Sequence, residues 1–133
     1  MGAIFGAKIP FADLCGIEFL GVANGVTRLR VVLDERHGNS SGIAHGGLVA
    51  TLLDIAMGSA ARLAAGGLVM TLDMHINFIA TGRGFLTAEG RVARAGGSIV
   101  FAEAEARGAK SEIVAKASGV FKKRNMASAA AEE

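Results

Sequence analysis

A chain of 133 residues with 51% apolar side chains is long enough for one ordinary domain and too apolar for global disorder. A net charge of only +2, with no Trp or Tyr to stack on bases, argues against a dedicated nucleic-acid binder. Cys15 is alone, so no intramolecular disulfide framework can form; the start lacks the basic and long apolar regions of a signal peptide, which makes the cytoplasm the expected compartment.

Residues 1–15 read as an N-terminal segment with a short helix broken at Pro10. From Gly16 to Leu33 the pattern is β-like, with Val26, Arg28 and Arg30 alternating with Thr27, Leu29 and Val31. Asn24-Gly25 is a hairpin signal, which predicts strands near Gly16–Ala23 and Val26–Asp34. Residues 37–42 are turn material. Gly46–Ala65 reads as one long helix, because Leu48, Leu52, Ile55, Ala56, Ala60 and Leu63 recur at helical spacing. Gly66-Gly67 is its stop.

Beyond it, Val69–Ala80, Gly84–Ala95, Ile99–Gly108 and Glu112–Lys123 read as four strands separated by Gly-rich turns. In the third, Phe101, Glu103 and Glu105 alternate with Ala102, Ala104 and Ala106, as in a half-buried antiparallel strand. Residues 125–133 read as a frayed tail. Two strands, one helix and four strands make an α+β domain over residues 16–124. Its long helix can bury an apolar face only against a curled antiparallel sheet.

A mean hydropathy of +0.43 is high for a small soluble monomer. A membrane span fails as the explanation, because the most apolar stretch, Gly46 to Met70, carries Asp54 and Arg62. A buried interface between copies of the chain is the expectation instead.

The chemistry-bearing run is Asn39-Ser40-Ser41-Gly42-Ile43-Ala44-His45-Gly46-Gly47, followed by Asp54 in apolar surroundings. A helix start at Gly46 offers free N–H groups and the positive end of a dipole, a ready site for a developing oxyanion. A carboxylate inside an apolar helix is costly without a partner or a task. Together they point to acyl chemistry. Asp54 lies eight residues beyond Gly46, about 12 Å along a helix at ~1.5 Å per residue. A carboxylate must come within roughly 3–3.5 Å of its task, directly or through a water. The two groups of one helix cannot easily serve one thioester. Antiparallel helices across a two-fold axis solve this by setting Gly46 of one copy against Asp54 of the other.

These residues, with Thr71-Leu72-Asp73-Met74 opening the next strand, resemble the hotdog-fold acyl-CoA thioesterases of the PaaI-like kind over roughly Gly16 to Lys123. The resemblance implies a curled antiparallel sheet wrapped around one central helix. It implies that Asp54 is the catalytic carboxylate, as base or nucleophile, and that the Gly46 N–H polarises the thioester carbonyl. Asn39 and His45 then orient the carbonyl and the leaving thiolate, and Thr71 helps place the water. Gly47 and the turn Gly96-Gly97-Ser98 fall near the pantetheine arm. Arg91 and Arg94 are the first candidates for the CoA phosphates, with Lys122, Lys123 and Arg124 next. The implied partners are an acyl-CoA substrate, aryl or medium-chain, and further copies of the chain as a homodimer or a homotetramer. No cofactor is implied beyond the CoA of the substrate, and no nucleic acid or membrane.

Structural roles remain open for several of these residues. His45 can hold its loop, Gly46-Gly47 can permit close packing, Asn39 can form a turn and Asp73 can serve a strand. Met57, Met70, Met74 and Phe78 can line an acyl pocket or fill the core. His37 and His75 lack metal-ligand spacing. Two other functions fit a hotdog fold. A dehydratase or hydratase needs a His paired with an acid, yet no second His lies near Asp54. A non-catalytic acyl-CoA-binding protein has no need of Asp54.

Overall fold

The computed structural model describes residues 9–38 and 42–124. Helix α1 spans Pro10–Cys15, strands β1 and β2 span Ile17–Ala23 and Val26–Val32, and helix α2 spans Gly46–Ala65. Strands β3 to β6 follow as Val69–Phe78, Phe85–Ala95, Ile99–Arg107 and Ile113–Lys123. All six form one antiparallel sheet in the order β1-β2-β4-β5-β6-β3. This is the sheet around one helix that the resemblance implies.

Local chemistry sets these limits. Asn24 and Gly25 both take positive φ, 53° and 76°, the conformation a tight hairpin turn demands. Gly66 closes α2 in the left-handed region and donates its N–H to the Arg62 carbonyl. Pro10 does not break α1, contrary to the expectation; it begins the helix, because a proline at the first position lacks only an N–H that would be unbonded anyway. The rest of the N-terminal segment and the 125–133 tail lie outside the described residues.

The core lies between α2 and the sheet. Leu52, Leu53, Ala56 and Met57 are wholly buried, facing Leu29, Val31, Leu86 and Ala88. Burying each large aliphatic side chain contributes roughly 1.5–3 kcal/mol. Small residues let α2 sit close. A Cβ at Gly90 would collide with the Ala56 carbonyl, and the buried Thr27 hydroxyl donates to that same carbonyl at 2.8 Å. By length and composition α2 could cross a bilayer, but half of it is buried inside the fold, where it serves as the core helix.

One edge of the sheet is unfinished. β3 pairs with β6 on one side only, and Met70, Leu72, Phe78 and Ile79 at this edge are 46–57% exposed. A long apolar edge strand is a template for pairing with another chain.

Candidate active site

His45 is the N-cap of α2, held extended at ψ 140°, and its Nδ1 accepts the Gly47 N–H at 2.8 Å. That contact places the proton of the neutral ring on Nε2. A Cβ on Gly47 would stand 3.0 Å from His45 Nδ1, so glycine is what leaves room for the cap. The loop is anchored by the His45 N–H, which donates to the His37 carbonyl at 2.8 Å, and by the Ala44 N–H, which donates to Gly82 at 3.0 Å. The Gly46 N–H has no acceptor among the described residues. It remains available at the positive end of the helix. Asn39 lies outside the described residues.

Eight residues on, half-buried Asp54 meets β3. The Thr71 hydroxyl donates to Asp54 Oδ1 at 2.8 Å. A bulge in β3 makes this pairing possible. Thr71 stands opposite Phe121 and Asp73 opposite Val120, so Leu72 is an extra residue. Without it Thr71 and Asp73 would share a face, and a second carboxylate would point at α2 beside Asp54. With it, Thr71 shares the helix-facing side with buried Phe121, and Asp73 turns to the other side.

Asp54 and Thr71 border a cavity of about 300 Å³, together with Gly58, Ser59, Arg62 and Phe121. A separate cavity of about 410 Å³ lies at the helix start, between Gly46, Val49 and Phe78 and the loop at Thr81–Gly82. Gly46 therefore packs toward the end of β3, where a Cβ would stand 3.6 Å from Phe78, and Asp54 toward its beginning. Within one chain they serve different cavities. Of the four candidate pocket residues, Met57 is wholly buried in the core and Phe78 lines the cavity at Gly46. Met70 is exposed and Met74 is half-buried against the core.

The remaining candidates are scattered. The turn Gly96–Ser98 is exposed and pinned by the Gly96 N–H to Ile99 and by the Lys123 N–H to Ser98, both at 2.8 Å. It lies at the same end of the sheet as Thr71, because Thr71 pairs with Phe121 and Phe121 with Val100. Arg91 projects from the face opposite α2 and donates to Glu103 at 3.0 Å. Arg94, beyond a bulge at Ala93, stands opposite Phe101 on that outer face and is exposed. The sheet therefore separates both arginines from Asp54. Among the described residues no cluster of His, Cys, Asp and Glu is set to hold a metal ion.

Two features escaped sequence reasoning. His37 is buried, accepting the Asp34 N–H at Nδ1 (2.9 Å) and donating from Nε2 to the Cys15 carbonyl (2.6 Å). It ties α1 to the turn before the site loop. Gly58 and Arg62, at four and eight residues beyond Asp54, share its cavity; their helical spacing was the signal that could have found them.

A sheet curled around one helix, with an N–H-rich helix start and a hydroxyl-held carboxylate, defines a hotdog-fold protein. Comparison with known proteins narrows the class. Residues 41–115 match the model of the thioesterase superfamily. The chain is 35% identical over 118 residues to "Putative esterase PA0474" of Pseudomonas aeruginosa, covering 84% of this chain and 87% of that one. Its fold is similar to conserved protein PA5202 of Pseudomonas aeruginosa, with a TM-score of 0.81 and 29% identity over 88% of this chain and 95% of that one. It is also similar in fold to the E. coli PaaI protein from the phenylacetic acid degradation operon. There the TM-score is 0.80 and the identity 20%, over 89% of this chain and 86% of that one. The chain belongs to the thioesterase superfamily.

Proposed function

We propose that the protein hydrolyses acyl-CoA thioesters to the free acid and CoA. The observation that carries this is Asp54, a carboxylate held by the Thr71 hydroxyl at the edge of a cavity. The chain's membership of the thioesterase superfamily, and its likeness to a protein named "Putative esterase PA0474", support this reading. In one route Asp54 takes a proton from water, the hydroxide adds to the thioester carbon, and the C–S bond breaks as the tetrahedral intermediate collapses. In the other Asp54 itself attacks, and water then cleaves the acyl anhydride. Both place negative charge on the carbonyl oxygen, which the Gly46 N–H would stabilise, and both return a proton to the departing thiolate. His45 and Asn39 orient the carbonyl and the thiolate. Thr71 is a positioning residue for Asp54. No group beyond the CoA of the substrate is needed.

The working unit is a dimer. Gly46 and Asp54 of one helix are about 12 Å apart along its axis, and each faces its own cavity. Pairing of two β3 edges would cover the exposed apolar residues there. It would also bring two α2 helices together so that Gly46 of one copy serves Asp54 of the other. A dimer of such dimers makes the tetramer. Gly47 and Gly96–Ser98 flank the pantetheine arm. Arg94 stands on the outer face beside the Gly96–Ser98 turn and has no ion-pair partner among the described residues, so it is freer to meet CoA phosphates carried round that end of the sheet than Arg91, which is engaged with Glu103.

Thiol release followed with a chromogenic trap over acetyl-, hexanoyl- and phenylacetyl-CoA tests this. A kcat/KM of at least about 10⁴ M⁻¹ s⁻¹ for the longer or aryl thioesters is expected, the lower end of the usual enzyme range. Rates no faster than the uncatalysed reaction would remove the proposal.

A further inference from the structure

The cavity at Asp54 carries information about the acyl group itself. One side of it is a single stripe of α2, in which Asp54, Gly58 and Arg62 follow one another at four-residue spacing with Ser59 alongside. Phe121 closes the opposite side; a Cβ on Gly58 would stand 3.6 Å from its ring, so the glycine keeps the middle open. The two ends of the stripe carry opposite charges, about 12 Å apart along the axis.

Arg62 differs from the paired arginines of this protein. Arg28, Arg36, Arg91 and Arg107 each contact an acidic side chain. Arg62 is half-buried and borders the cavity, and its guanidinium has no hydrogen-bond or ion-pair partner among the described residues. Its guanidinium presents donors in a planar fork that matches a carboxylate. A carboxylate on the substrate would be repelled at the Asp54 end and held at the Arg62 end.

We propose that this cavity selects acyl groups ending in a carboxylate, the half-thioesters of dicarboxylic acids. The thioester lies at Asp54, the methylene chain passes over Gly58, and the terminal carboxylate is held by Arg62 with the Ser59 hydroxyl beside it. The proposal rests on Asp54 facing the thioester carbon. The length of the stripe favours glutaryl or adipyl over malonyl.

The test compares adipyl-CoA with hexanoyl-CoA, which match in chain length and differ in the terminal charge. The wild-type protein is expected to favour adipyl-CoA in kcat/KM. Arg62→Met is expected to lower the adipyl-to-hexanoyl ratio about tenfold to a hundredfold, the range for a hydrogen bond to a charged group. Arg62→Lys should lower it less, because the charge remains while the fork is lost. The ratio is taken within each variant, so it does not depend on how much of the protein is folded. Equal use of the two thioesters by the wild type, or an unchanged ratio in Arg62→Met, overturns the proposal. Calorimetric titration of Asp54→Asn and Asp54→Asn/Arg62→Met proteins with the same two thioesters measures the preference without turnover. If nothing is hydrolysed, the proposed activity fails, and the binding ratio still decides the role of Arg62.

Discussion

The Gly46 N–H can be removed with little other change, because Gly46 occupies the first position of α2. Proline is tolerated there, as Pro10 shows at the start of α1. The preceding His45 is already extended at ψ 140°, the conformation a following proline requires. A ring carbon at the Cβ position would meet Phe78 at an ordinary 3.6 Å. Gly46→Pro should therefore fold and lose turnover by about 10²–10³-fold, the cost of one oxyanion donor. Co-expression of Gly46→Pro chains with Asp54→Asn chains then separates two geometries. With random pairing about half of the dimers are mixed, and in each mixed dimer one of two sites combines an intact Gly46 with an intact Asp54. Thiol release from acyl-CoA should recover to about a quarter of the wild-type rate per chain. A mixed preparation shown to contain mixed dimers, yet no more active than its parents, would refute the two-chain site.

Thr71→Val keeps the shape and removes the 2.8 Å hydrogen bond to Asp54; kcat should fall by about twofold to tenfold, the worth of an ordinary hydrogen bond, and Thr71→Ser should restore most of it in the same assay. Asp34 gives a pH-dependent prediction. Hydrogen bonds from the Arg36 side chain and N–H lower its pKa from 3.8 to about 2. A depressed carboxylate stabilises the fold above its unfolded pKa, and that contribution is lost as pH falls through the folded value. The gap in Tm between wild type and Asp34→Asn should be constant above pH ~4 and close toward pH ~2. It should be small, because the pair is exposed. A gap independent of pH in thermal melts would mean that the ion pair contributes nothing.

Much of the fold was legible because its signals are local. The limits of α2 follow from apolar spacing between Gly46 and Gly66, and the first hairpin from Asn24-Gly25. Asp54 stood out as a charge in an apolar run, and the hydroxyl of Thr71 does reach it. What was not legible depends on partners distant in sequence. Nothing near Leu72 marks a bulge, because the extra residue is defined only by pairing with β6. The sheet order that leaves β3 at an edge is likewise set by long-range pairing. Gly90 looks like any strand glycine until α2 is laid over it and Ala56 fills the space a Cβ would need. Arg62 read as one more charge in the helix, and only the wall formed by Phe121 and β3 turned its neighbourhood into a cavity. Pro10 read as a breaker because the same residue ends helices from within and starts them from the first position.

The most direct test of the central claim is the turnover of Asp54→Asn on an acyl-CoA that the wild-type protein hydrolyses. The substitution keeps size and shape while removing basicity and nucleophilicity, and the Thr71 hydroxyl can still donate to the amide oxygen. A folded variant slowed by about 10²–10⁴-fold, the range for a positioned acid–base group, is the expected result. A folded variant that releases CoA at the wild-type rate would contradict the assignment of the chemistry to Asp54.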